Sequence, residues 1–196
     1  MKGDVIMENH MVESIIITLF PCFFLVVLFG GGTLFERKNI DMGGKPPIDK
    51  RTFGLSKYSI IVIWAIMVFY CWNPAFRFMK APALLESIAF YLWCSGFSLL
   101  FIGRFGLGAS FRIGSPREQT TLKTTGLFRF SRNPMYVGVY TTILASVLYT
   151  LSPAALLIGI FVVYVHHKIV LAEEKFLSAA FGRDYADYCA RVRRYL

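Results

Sequence analysis

Long uncharged runs, broken by short clusters of charge, set the rhythm of this chain. A helix needs about 20 mainly apolar residues to cross a hydrocarbon layer about 30 Å thick. Ser14 to Phe35 carries no charge and predicts a first span at 14–35. Residues 58–76 predict a second and 81–103 a third, the latter interrupted only by Glu86. From Asn133 to His167 the chain runs for roughly 35 residues without Asp, Glu, Lys or Arg, about 52 Å as one helix and too long for a single crossing. Near its middle Ser152-Pro153 has the form of an N-cap followed by a first helical residue. The pattern therefore predicts a tight helical hairpin with arms at 134–151 and 153–172. Its second arm is expected to continue to about Ala180, ahead of a short amphipathic tail from Asp184 to Tyr195. The fold class is all-α integral membrane, with five transmembrane helices in a single domain over 1–196.

The placement of positive charge is an independent test of that count. Six Lys or Arg lie between residues 37 and 57, six between 104 and 132, and six from Lys168 onward. Only Lys2 precedes the first span, only Arg77 and Lys80 lie between the second and third, and none lies at the hairpin tip. Five spans with the N-terminus outside and the C-terminus cytoplasmic satisfy the positive-inside rule at every crossing, and an even number breaks it. The net charge of +9 then reflects topology and attraction to anionic lipid rather than a nucleic-acid partner. Charged residues are 17 % of the chain, against about 25 % in soluble proteins, which argues against a soluble or disordered chain. Asp4, Glu8 and Glu13 stand where a cleaved signal peptide has a basic region.

Several chemistries are excluded on spacing. The four cysteines form neither a disulfide framework nor a zinc motif, and the adjacent His166 and His167 point to different helix faces, so no metal site is expected. Gly106-Leu107-Gly108 follows no strand and lacks the full glycine fingerprint, which excludes a Rossmann cofactor domain. Glu86, near the outer end of the third span, reads as an interfacial carboxylate.

Two cytoplasmic segments hold the remaining polar chemistry, and a hairpin makes them neighbours. One is Ser131-Arg132-Asn133-Pro134-Met135-Tyr136, where Asn133 is placed as an N-cap and Pro134 as the first helical residue. The unpaired N–H groups of that first turn, with Arg132 beside them, make an anion-binding pole. The other is Glu173-Glu174, with Glu173 seven residues after His166 on the same helix face. A carboxylate facing Arg132 and a helix N-terminus suits a zwitterion. A plain helix cap, interfacial anchors and a solvated ion pair account for the same residues without a ligand.

Taken together, Arg132-x-Pro134-x-Tyr136-x-Gly138 at the start of a hairpin, then Glu173-Glu174-x-x-Leu177, Phe181-Gly182 and a Tyr-rich basic tail, resemble the isoprenylcysteine carboxyl methyltransferase family. Relatives of that family include bacterial phospholipid N-methyltransferases, and the resemblance covers about residues 111–196. It implies an integral-membrane methyltransferase that uses S-adenosylmethionine and releases S-adenosylhomocysteine on the cytosolic side. By position, the resemblance assigns Arg132, Asn133, Pro134, Met135 and Tyr136 to the cofactor, with Glu173 on its amino group. It adds an upstream segment that wraps the cofactor, represented by Thr120, Thr121, Leu122, Lys123, Gly126 and Phe128. The family usually has His at the positions of Asn133 and Thr120, and Tyr at that of Phe128. Its eukaryotic members place an Arg for the substrate carboxylate one turn before the acidic pair, where this chain has Ile169 with Lys168 beside it.

The implied acceptor is lipophilic or membrane-borne (a carboxylate, amine or thiol) and enters from the bilayer. An amine needs a general base, for which Glu174 or His167 is nearest. Two alternatives remain. A sterol-type membrane reductase carries a similar Arg-x-Pro-x-Tyr signature for NADPH but usually has more spans. A non-catalytic membrane module retaining the fold is the other.

Overall fold

The computed structural model describes residues 2–36, 48–77, 79–108 and 121–196, which form helices and turns without a strand. The helices are α1 (Lys2–Glu36), α2 (Lys50–Trp72), α3 (Ala83–Leu107), α4 (Pro134–Thr150) and α5 (Pro153–Arg191).

Local chemistry sets their ends, and α2 departs from expectation at both. Asp49 accepts a hydrogen bond from the Thr52 N–H at 2.9 Å, so the helix begins at Lys50 rather than Tyr58 and takes in the charged residues before it. At its other end Asn73 leaves helical geometry (φ −129°) ahead of Pro74, and the helix stops at Trp72 rather than Phe76. α3 outruns its expected end at residue 103, since Gly103 and Gly106 stay helical, and Gly108 with a φ of +51° closes it. The hairpin turn is where the sequence puts it. Leu151 adopts the left-handed region (φ +46°), Ser152 Oγ accepts from the Ala155 N–H at 3.4 Å, and Pro153 opens α5. α5 is broken at Gly182 (φ +50°), and a further helical piece follows to Arg191.

Four helices are long and apolar enough to cross a membrane: α2, α3, α5 and, within α1, His10–Leu28. α4 has 17 residues and is about 25 Å long, short of that length on its own. Among the described residues, four helices thus have the length of a span where five were expected, and the fourth expected span, α4, is the shorter arm of the hairpin.

The closest packing joins α3 to α4. A Cβ on Gly138 would stand 2.8 Å from the Gly96 carbonyl oxygen, and one on Gly96 would stand 2.7 Å from Thr142 Cγ2. Glycine at both positions lets the two backbones nearly touch. Beside this seam Phe24, Trp64, Trp93 and Phe97 form an aromatic core between α1, α2 and α3. The indole N–H groups of that core are satisfied: Trp64 donates to Thr142 Oγ1 at 3.1 Å and Trp93 to the Ile17 carbonyl at 3.2 Å.

The tip end of the hairpin has its own polar knot. Arg77 pairs with Glu86 and donates to Tyr149 Oη at 2.9 Å and to the Tyr70 carbonyl at 3.2 Å. Glu86, expected as an interfacial carboxylate, is thus a paired one. Its partner is the Arg of the α2–α3 connection.

Candidate active site at the mouth of the hairpin

Where α4 begins and α5 leaves the bundle, the chain gathers an ionic cluster centred on Glu174. Arg132 donates to Glu174 Oε1 from Nη2 at 3.0 Å and from Nε at 3.2 Å. Arg194 donates from Nε to Glu174 Oε2 at 2.9 Å, and that bond holds the Arg194 guanidinium above its ordinary range. Both Glu174 and Arg132 are largely buried, with 12 % of each side chain exposed, so each charge depends on the other's presence.

The remaining donors of this cluster grip the end of the chain. Arg132 Nη1 reaches the carbonyls of Cys189 and Val192, at 3.4 and 3.2 Å. Its backbone N–H donates to the Arg193 carbonyl at 3.0 Å. Asn133 stands at the N-cap position, but its side chain does not cap. Its Nδ2 donates to Glu174 Oε1 at 3.3 Å and to the Arg194 carbonyl at 3.2 Å, while its own N–H is taken by Ser131 Oγ at 3.1 Å. The break at Gly182 makes this possible by turning the last stretch back across the mouth.

Next to the ionic cluster lies a second carboxylate with different surroundings. Glu173 Oε1 accepts from Tyr136 Oη at 3.0 Å, and no other bond reaches Glu173 among the described residues. Tyr136 also stacks at a tilt on His166, with centroids 5.7 Å apart. His167 Nδ1 and the Tyr195 hydroxyl share a bond of 2.8 Å, and the Tyr195 ring meets Tyr140 edge-on at 5.6 Å. Burial pushes the Tyr195 hydroxyl above the usual phenol range, which keeps it a neutral donor or acceptor at this position.

The segment 121–128 forms a further wall. Leu122 packs with Tyr185, Tyr188 and Val192, and Tyr188 Oη donates to the Phe128 carbonyl at 2.7 Å. Gly126 turns the segment with φ +63°.

The structure thus brings together Leu122, Phe128, Arg132, Asn133, Tyr136, Glu173, Glu174 and His167 around one mouth, with Thr121, Lys123 and Gly126 on the adjoining segment. Pro134 is buried as the first residue of α4, and Met135 turns away to pack against Gly103 of α3. Lys168 lies exposed on the outer face of α5 with its ammonium 4.7 Å from the Tyr164 ring centroid. Ile169 is buried against Phe53 of α2. Thr120 and the rest of 109–120 lie outside the described residues. The sequence reading missed the partner of Arg132, which is Glu174 rather than Glu173. It also missed Arg194 and Tyr195, for which a run of basic and aromatic residues at the end of the chain was the only signal.

An all-helical bundle whose described residues include four helices long and apolar enough to cross a membrane defines an integral membrane protein. The model of the phospholipid methyltransferase family matches residues 76–184, over half of the chain, and the chain belongs to that family. Among curated proteins no relative matches.

Proposed function

We propose that the protein transfers a methyl group from S-adenosylmethionine to a lipophilic, membrane-borne acceptor, with the C-terminus and the mouth on the cytoplasmic side and the N-terminus outside. The observation that carries this reading is the contrast between the two adjacent carboxylates. Glu174 is consumed by two guanidinium groups, whereas Glu173 takes a single bond from Tyr136 and keeps an oxygen for a ligand. The donor set fits an amino-acid-bearing ligand. Glu173 would receive its ammonium, and the N–H groups of Met135 and Tyr136, in the unpaired first turn of α4, would receive its carboxylate.

The bound cofactor supplies a methyl group on a sulfonium, open to in-line displacement. The protein's own work is placement and exclusion of water. Tyr136 and Glu173 set one end of the ligand. Segment 121–128 and the returning tail cover it. Arg132 and Asn133 act as positioning residues, because their donors hold Glu174 and the tail carbonyls. An acceptor carboxylate or thiolate needs no base. For an amine, His167 is better placed than Glu174, because both Glu174 oxygens are already occupied by the Arg132 and Arg194 guanidinium groups.

Calorimetric titration of the full chain in detergent, with S-adenosylhomocysteine and separately with NADPH, tests this. Binding of the first and not the second is expected. Binding of NADPH alone assigns the mouth to a reductase, and binding of neither overturns the cofactor. S-adenosylhomocysteine binding without turnover on any membrane lipid extract favours the non-catalytic module.

A further inference from the structure

The returning tail is laid along α5 on two rungs. Arg194 Nε donates to Glu174 Oε2 at 2.9 Å, and the next residue, Tyr195, shares its hydroxyl with His167 Nδ1 at 2.8 Å. His167 and Glu174 are seven residues apart, so they stand on one helix face about 10 Å from each other. His167 is the deeper of the two, toward the hairpin tip and the apolar span, on the side from which a membrane-borne acceptor arrives.

Tyr195 is seated more firmly than a tail side chain ordinarily is. The carbonyl of the residue before it, Arg194, accepts from Ser131 Oγ at 3.3 Å and from Asn133 Nδ2 at 3.2 Å. Tyr140 of α4 meets the Tyr195 ring edge-on, with centroids 5.6 Å apart. The tail is thus fastened through Arg132, Asn133 and Glu174 before Tyr195 is counted, and its hold does not require a bond to an imidazole. An ionisable ring in a spanning helix marks a working site by default. His167 is half-buried, and no hydrogen bond reaches its Nε2 among the described residues.

We infer that Tyr195 is a positioning residue that makes His167 a general base: its hydroxyl oxygen accepts from Nδ1–H and leaves Nε2 bare for a proton of the acceptor. Which ring nitrogen carries the proton is set by the hydrogen bond that the other makes. An acceptor atom that arrives protonated gives its proton to Nε2, and the imidazolium keeps Nδ1–H on Tyr195. The freed lone pair takes the methyl group, the carbon–sulfur bond breaks with its electron pair left on sulfur, and Nε2 later returns the proton to water. Because Tyr195 rides on the tail, the base is complete only while the mouth is closed. The inference rests on the proposed methyl transfer and adds what switches the base on.

The test reads the His167 tautomer in the full chain in detergent, by proton–nitrogen correlation spectra of histidine-labelled protein in alkaline buffer, where the ring is neutral. His167→Gln assigns the signal. The parent is expected to show Nδ1 protonated and Nε2 bare, and Tyr195→Phe, which keeps the ring against Tyr140, to lose that preference. A parent with Nε2 protonated overturns the inference, as does a tautomer unchanged in Tyr195→Phe. Methyl transfer to phosphatidylethanolamine vesicles is the second readout. Tyr195→Phe should lower kcat about tenfold with KM unchanged, part of the roughly 10²–10⁴-fold that a general base contributes. The deficit should shrink as pH rises and the amine sheds its proton unaided. A deficit equal at every pH marks a structural loss and overturns the inference. Calorimetry with S-adenosylhomocysteine keeps the two readings apart. Equal affinity in parent and Tyr195→Phe, with the tautomer lost, supports the inference. Equal affinity with equal tautomer and rate overturns it alone, whereas a parent that binds no S-adenosylhomocysteine overturns the proposed function.

Discussion

Glu174 is held from two sides, with Arg132 donating to one carboxylate oxygen at 3.0 Å and Arg194 to the other at 2.9 Å. This clasp joins the start of α4, the outgoing part of α5 and the last residues of the chain. Glu174→Gln keeps the shape and removes the charge, leaving Arg132 buried without a counter-ion. A loss of about 3 kcal/mol is expected, the lower end for a broken buried pair because Arg194 can turn to solvent. Thermal unfolding of the solubilised protein measures it.

Glu173 predicts the opposite division of effects. Its single internal bond comes from Tyr136, so Glu173→Ala should leave the melting temperature near that of the parent. Affinity for S-adenosylhomocysteine should fall by about 1.5–3 kcal/mol, the worth of a hydrogen bond to a charged group. Calorimetry on parent and variant checks this, and equal affinities would remove the amino-group contact from the proposal.

Packing between α3 and α4 gives a paired prediction. Gly138→Ala puts a methyl 2.8 Å from the Gly96 carbonyl and 3.0 Å from Leu100 Cγ, and should destabilise by about 1–3 kcal/mol through overpacking. Gly54→Ala, in α2, meets nothing within 4 Å and should be stabilising by about 0.5–1 kcal/mol. Opposite shifts in melting temperature are the expected readout.

At the hairpin tip, Arg77→Met strips Glu86 of its partner and Tyr149 of a donor. Stability should drop by about 3 kcal/mol. Tyr149 is about 20 Å along α4 from Tyr136, beyond the range at which effects usually couple. S-adenosylhomocysteine affinity, measured on the folded fraction, should therefore be unchanged.

Much of this architecture can be read from residue order, because hydrocarbon thickness and capping chemistry act locally. The turn at Ser152-Pro153 and the convergence of Arg132 with the acidic pair both follow from span counting. The start of α2 does not, because one Asp49 side chain outweighs the polar character of the residues after it. Nor does the choice between Glu173 and Glu174. Adjacent residues on a helix differ by about 100° in direction, and the break at Gly182, which brings Arg194 back to Glu174, decides which one is neutralised. Asn133 likewise looks like a cap in sequence, yet its amide is claimed by a chain end 61 positions away.

The returning tail is gripped mainly through main-chain oxygens, those of Cys189, Val192, Arg193 and Arg194. Such a latch is blind to side-chain identity. Residue 193 can therefore change type with little penalty to closure, whereas a proline that bends the path by a single step would unfasten it.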